Sequence, residues 1–147
     1  MPRPRSIDPT SFVLFIDRCL GREDVAKALR DAGVSVEVHD EHFDEKCDDV
    51  DWLPQVGAKG WIVLTKDKHI RRRPLERHAL EAAKVGAFVL TAGIVTGPEM
   101  AEAFVKALPR MRAIVASHAR PFIAAVHKGG TVAVIVGERR GGIKRDP

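Results

Sequence analysis

Cysteine is scarce: Cys19 and Cys47 are the only two in 147 residues, and neither stands in a Cys-x-x-Cys or Cys/His spacing. That pattern argues against a structural zinc and against a disulfide framework. Long hydrophobic runs are missing as well. The two longest, around residues 86–95 and 122–136, are short or broken by His127, Lys128, Gly129 and Gly130, so no segment is expected to span a bilayer. The chain starts with the basic Met1-Pro2-Arg3-Pro4-Arg5, but Asp8, Pro9 and Asp17 stand where a secretory leader needs an unbroken apolar stretch. A cytoplasmic protein is the expectation. No internal repeat is visible, and the basic excess is small, +4 with a pI near 9.3, which suits a polyanionic partner without requiring one. What remains, 45% hydrophobic and 30% charged residues, has the balance of one compact globular domain.

Apolar runs and turn residues divide the chain into alternating elements. Phe12, Val13, Leu14, Phe15 and Ile16 read as a strand buried on both faces that stops at Asp17. Residues 22–32 read as a helix with Glu23 and Asp24 in its first turn, a stripe of Val25, Ala28, Leu29 and Ala32, and Gly33 as the stop. Val34, Val36 and Val38 alternate as a strand. The acidic stretch 39–51 leads to a short helix over 50–57, capped by Asp48 or Asp49. A strand over 61–65 ends near Asp67, a helix covers 74–84, and a strand covers 87–90. A long helix begins at Gly97-Pro98-Glu99 and is expected to bend at Pro109 before ending near His118. Residues 122–126 and 131–136 then read as a strand pair. The alternation predicts an α/β fold with a mostly parallel central sheet and helices on both faces. Its expected organisation is an N-terminal basic arm (1–10), a single domain (11–137) and a flexible charged tail (138–147).

In an open parallel sheet, ligands collect beyond the carboxyl ends of the strands. Asp17 and Asp67 follow two such strands, and Asp49 or Asp51, at the helix start between them, could face the same crevice. A single aspartate after a strand is ordinarily a turn former or a cap. Several carboxylates in one crevice repel each other, and the usual resolution is a hard divalent cation, Mg²⁺ or Mn²⁺. Such an ion activates water and neutralises charge on a phosphodiester. Lys66, Lys68, Arg71, Arg72 and Arg73 surround Asp67 with positive charge suited to phosphate contacts. Trp52 and Trp61 sit among apolar neighbours and read as core. His39, His42, His69 and His78 have no compelling ligand spacing, so no catalytic histidine is expected.

Three segments, Phe15-Ile16-Asp17-Arg18-Cys19-Leu20-Gly21, Asp49-Val50-Asp51-Trp52-Leu53-Pro54 and Gly60-Trp61-Ile62-Val63-Leu64-Thr65-Lys66-Asp67-Lys68, resemble PIN-like domains, most closely the compact branch related to VapC toxins and Mut7 C-terminal domains. The resemblance covers roughly the first two thirds of the chain. It implies a three-layer sandwich and a Mg²⁺-dependent (or Mn²⁺-dependent) endoribonuclease. The implied catalytic and metal-binding residues are Asp17, Asp49 and Asp67, with Asp51 competing for the middle position. Lys68, Arg71 and Arg72 would contact RNA by position. Larger PIN domains carry a further acid, whereas Thr91 follows the fourth strand here. The resemblance further implies the toxin of a type II pair with a small DNA-binding antitoxin as partner, and the C-terminal strand pair could serve that antitoxin or a homodimer.

Two other functions compete. A non-catalytic RNA-binding module could keep the fold and the basic patch. A phosphoacceptor domain also clusters aspartates at strand ends, but it would want an acidic pair after the first strand, where Asp17 is followed by Arg18 and Cys19.

Overall fold

The computed structural model describes residues 12–21, 23–44, 46–66, 73–91 and 96–139, Asp49 by its backbone alone. Six strands form one sheet: β1 (Val13–Ile16), β2 (Ser35–Val38), β3 (Ile62–Thr65), β4 (Gly86–Leu90), β5 (His118–Val126) and β6 (Val132–Arg139). Four α-helices are described: α1 (Asp24–Asp31), α2 (Asp49–Ala58), α3 (Pro74–Ala82) and α4 (Gly97–Ser117). The sheet order is β2-β1-β3-β4-β5-β6. All neighbours are parallel except β5 and β6, which pair antiparallel.

Period-two alternation sends neighbouring side chains of each strand to opposite faces. Leu14, Ile16, Ile62, Leu64, Phe88 and Leu90 face one side, where they pack with Val25 and Leu29 of α1 and Phe104 and Met111 of α4. Phe15, Val63, Ala87 and Val89 face the other, against Trp52, Leu53 and Val56 of α2 and Leu80 of α3. Both faces are covered, which is why these strands read as unbroken apolar runs. The expected three-layer α/β sandwich is therefore the observed one. Trp52 is core, while Trp61 is partly buried and stacks on Phe15 at 5.8 Å.

Several element ends differ from the expectation. Asp48 occupies the N-cap position of α2, yet its side chain makes no capping bond. Helix α4 continues through Pro109 to Ser117, and β5 starts at once with His118, four residues before the apolar run that signals it. Strand β6 passes Gly137 and ends at Arg139. A side chain at 137 would press on Phe122, since an added Cβ would lie 2.9 Å from the Phe122 Cβ. The glycine thus permits close packing inside the strand rather than ending it. The expected basic arm and most of the charged tail lie outside the described residues. No helix among the described residues is long and apolar enough to cross a membrane.

Candidate active site at the carboxyl edge of the sheet

From β1 the chain passes to β2 on one side and later returns to β3 on the other, so the crevice between the ends of β1 and β3 is the switch point of the sheet. The parallel register pairs Ile16 with Leu64. One residue further along each strand stand Asp17 and Thr65. The Asp17 N–H donates to the Leu64 carbonyl at 3.0 Å, which fixes where the carboxylate starts.

That carboxylate is buried, with 7% of the residue exposed, and the Thr65 hydroxyl donates to its Oδ2 at 2.8 Å. Cys19, on the 3-10 turn Arg18–Leu20, places its Sγ 3.7 Å from the same oxygen and 3.2 Å from the Thr65 hydroxyl. The Lys66 N–H donates to that sulfur at 3.4 Å. Burial raises the Asp17 pKa above the ordinary carboxylate value; the Thr65 hydroxyl, the charge of nearby His39, the Arg18 N–H and the Cys19 thiol each pull it back in part. Although Asp17 occupies the N-cap position of the turn, its side chain makes no capping bond there. Its principal hydrogen bond runs across the sheet instead.

Asp17 is the sequence-predicted site residue whose side chain the structure describes in the crevice. Asp49 is the first residue of α2, and its neighbours Asp48 and Val50 share a cavity lining with Arg18, which follows β1. Asp51 is exposed, and the cavity at this helix start is lined by Asp48 and Val50 rather than by Asp51. Asp67, Lys68, Arg71 and Arg72 lie outside the described residues. Among the described residues no group of three His, Cys, Asp or Glu side chains comes together as a metal site. Thr91, after β4, bonds His127 Nδ1 at 3.0 Å.

Sequence reasoning gave no role to Thr65, Cys19, His39 or Asp40. Thr65 could have been found from equal offsets: Asp17 and Thr65 each follow a buried run by one step, which in a parallel pair puts them side by side. His39 follows β2, the neighbour of β1, and is 1% exposed. Its ring packs on Phe15 and Trp52, and its Nδ1 lies 3.3 Å from Asp40 Oδ1. No histidine-specific signal in the acidic loop foretells that burial.

Residues 12–92 match the sequence profile of the family described as "PIN like domain", more than half of the chain. The chain is 31% identical over 129 residues to "Putative ribonuclease VapC45" of Mycobacterium tuberculosis, a match covering 83% of this chain and 91% of that protein. No solved structure matches it. The chain belongs to the PIN-like domain family, in the part of it related to VapC toxins. The family match spans Asp17, Asp49, Asp51 and Asp67 and ends before β5 and β6.

Proposed function

We propose that this protein is a divalent-metal-dependent endoribonuclease, the toxin of a type II toxin–antitoxin pair acting in the cytoplasm, built as one domain over 11–137. The observation that carries the reading is the buried Asp17 carboxylate at the switch point, held by Thr65 and still raised in pKa. The hydrogen bonds and the charge of nearby His39 leave part of its burial uncompensated, and a cation beside the carboxylate would offset the rest. A hard divalent cation fits an aspartate oxygen. Asp17, Asp49 and Asp67 would hold Mg²⁺ or Mn²⁺, with Asp51 as the competitor for the middle place. When bound, that ion supplies charge neutralisation at the phosphodiester and a water of lowered pKa.

The chain's own groups do the rest. Thr65 and the Arg18 N–H fix the orientation of the Asp17 carboxylate, and the burial of Thr65 excludes bulk water from its inner side. Lys68, Arg71 and Arg72 would bind flanking phosphates by charge. The ribonuclease name of the mycobacterial relative supports the reaction class, and its VapC name supports a small DNA-binding antitoxin as partner.

The test is cleavage of a mixed RNA pool by the purified protein with Mg²⁺, with Mn²⁺ or with EDTA, beside Asp17→Asn and Asp67→Asn proteins of confirmed fold. Metal-dependent cutting lost in both variants is expected. No cutting, with RNA binding unchanged or strengthened in the variants, would instead identify a non-catalytic RNA-binding module.

A further inference from the structure

Arg18 stands between two openings at the carboxyl edge of the sheet. Its backbone N–H donates to the Asp17 carboxylate, its side chain is 46% exposed, and the residue lines a cavity on each side. One cavity, of about 570 Å³, has both signs of charge in its lining, Lys66 beside Arg18 and the acids Glu23, Asp24 and Asp40, with Cys19 and Met100 among the rest. The other, of about 630 Å³, is lined by Lys46, the acids Asp48 and Glu76, Val50 and Leu75 among others. Both fall in the size range of small-ligand sites, so each has room for a nucleotide-sized group. Among the described residues Arg18 is the one common to the two linings.

Two nucleotides in adjacent cavities must be joined across the wall between them, and the joining group is a phosphodiester with one negative charge. A guanidinium is the side chain whose planar fork suits that group. At present Arg18 Nε lies 3.8 Å from Asp40 Oδ1, a long, partly exposed pair of small worth. Asp40 also has His39 Nδ1 at 3.3 Å, so it keeps a partner when Arg18 turns away.

We propose that Arg18 binds the phosphate linking two nucleotides of a single-stranded RNA laid across these cavities, and that Asp40 competes with that phosphate for the guanidinium. The inference rests on the ribonuclease reading and assigns that site a substrate contact one residue from Asp17. Arg18 is a binding residue, so its loss raises KM and leaves kcat nearly unchanged.

The experiment uses the full chain and a short fluorescein-labelled single-stranded RNA of mixed sequence. Cleavage kinetics are followed with Mg²⁺ and binding by anisotropy in EDTA, both over a range of salt, with circular dichroism confirming the fold of each variant. Arg18→Ala is expected to raise KM and the dissociation constant about tenfold, the scale of one hydrogen bond to a charged group. It should also flatten the slope of log affinity against log salt by about 0.7. Arg18→Lys should restore the slope but only part of the affinity. Asp40→Asn should tighten binding by up to about fivefold, the limit for an exposed pair, and this gain should vanish in the Arg18→Ala background. Normal cleavage with KM, binding and salt slope all unchanged in Arg18→Ala overturns the assignment and leaves the nuclease reading intact. Absent cleavage, with binding still weakened by Arg18→Ala, supports the phosphate contact and removes the nuclease reading. RNA neither cut nor bound by the wild-type protein overturns both.

Discussion

Replacing Thr65 by valine is the sharpest probe of how the site is held. Thr65 is fully buried, and its hydroxyl donates to Asp17 Oδ2 at 2.8 Å while lying 3.2 Å from Cys19 Sγ. Valine fills nearly the same volume but removes the donor. With Asp17 ionised, the lost bond is charge-assisted and costs about 2 kcal/mol, against about 1 kcal/mol for a bond to the neutral acid. For a chain of this length the larger figure corresponds to a fall in Tm of roughly 4–8 °C.

The pH dependence carries the sign. Burial already raises the Asp17 pKa above 3.8, and the Thr65 hydroxyl does more than any other neighbour to lower it, so the variant's pKa lies higher still. Between the unfolded and folded values the native state holds more protons than the unfolded state, and stability falls as pH rises through that window. The fall is greater in Thr65→Val. The Tm gap between the two proteins should therefore be narrow below the folded pKa of Asp17 and widest at neutral pH. Thermal melts in EDTA from about pH 4 to about pH 8 measure it. An equal gap at every pH would mean that Thr65 contributes only packing, and the argument that it holds an ionised carboxylate would fail.

Asp17→Asn should raise Tm at neutral pH in EDTA, because the amide removes a buried charge whose pKa is raised, and the gain should disappear as pH falls through that pKa; a lower Tm at neutral pH contradicts this. Mg²⁺ at a hundredfold excess over its dissociation constant should stabilise the wild-type protein by about 2.7 kcal/mol and the Asp17→Asn protein by far less, and equal responses in calorimetry would place the ion elsewhere. For the middle position, Asp49→Asn should abolish RNA cleavage and Asp51→Asn should leave it nearly intact; the opposite result exchanges the two residues. Gly57→Ala, which would drive a methyl group into the Ala83 carbonyl where α2 meets α3, should destabilise by about 1–3 kcal/mol in urea unfolding despite the better helix former, so a stabilised variant would mean that the two helices separate easily.

Legibility in the sequence followed burial. Strands β1, β3 and β4 were readable because both faces are covered, so Leu14 and Phe15, or Leu64 and Val63, are apolar although they point opposite ways. The same continuity made Asp17 conspicuous as the first polar residue after a buried run. Strand β5 was only half readable: His118, Ala119, Arg120 and Pro121 are partly exposed and carry no apolar signal. Gly137 misled because composition cannot separate a glycine that ends a strand from one that lets Phe122 approach. The partners of Asp17 needed the third dimension. Thr65 is 48 residues away, and only the register of β1 on β3 brings its hydroxyl to the carboxylate.

The ordinary role of an aspartate after a strand, a cap for the turn that follows, fits Asp17 poorly. A capping carboxylate is solvated on its outer side and takes its bonds from the turn. Asp17 is buried, and although the Arg18 N–H and the Cys19 thiol of its turn also reach the carboxylate, its strongest bond comes from Thr65 on the next strand of the sheet. A role in packing alone would be served as well by asparagine, which satisfies the same hydroxyl donor without the desolvation of a charge. The ionisable group is therefore a net burden on the fold at neutral pH, one that four neighbouring groups reduce without removing. Burdens of this kind gather where chemistry requires a charge in a fixed place. Here the place is the switch point of a parallel sheet, the position where such folds bind their ligands. The stability and cleavage measurements on Asp17→Asn thus test one idea from two sides: the substitution that relieves the fold should be the one that silences the site.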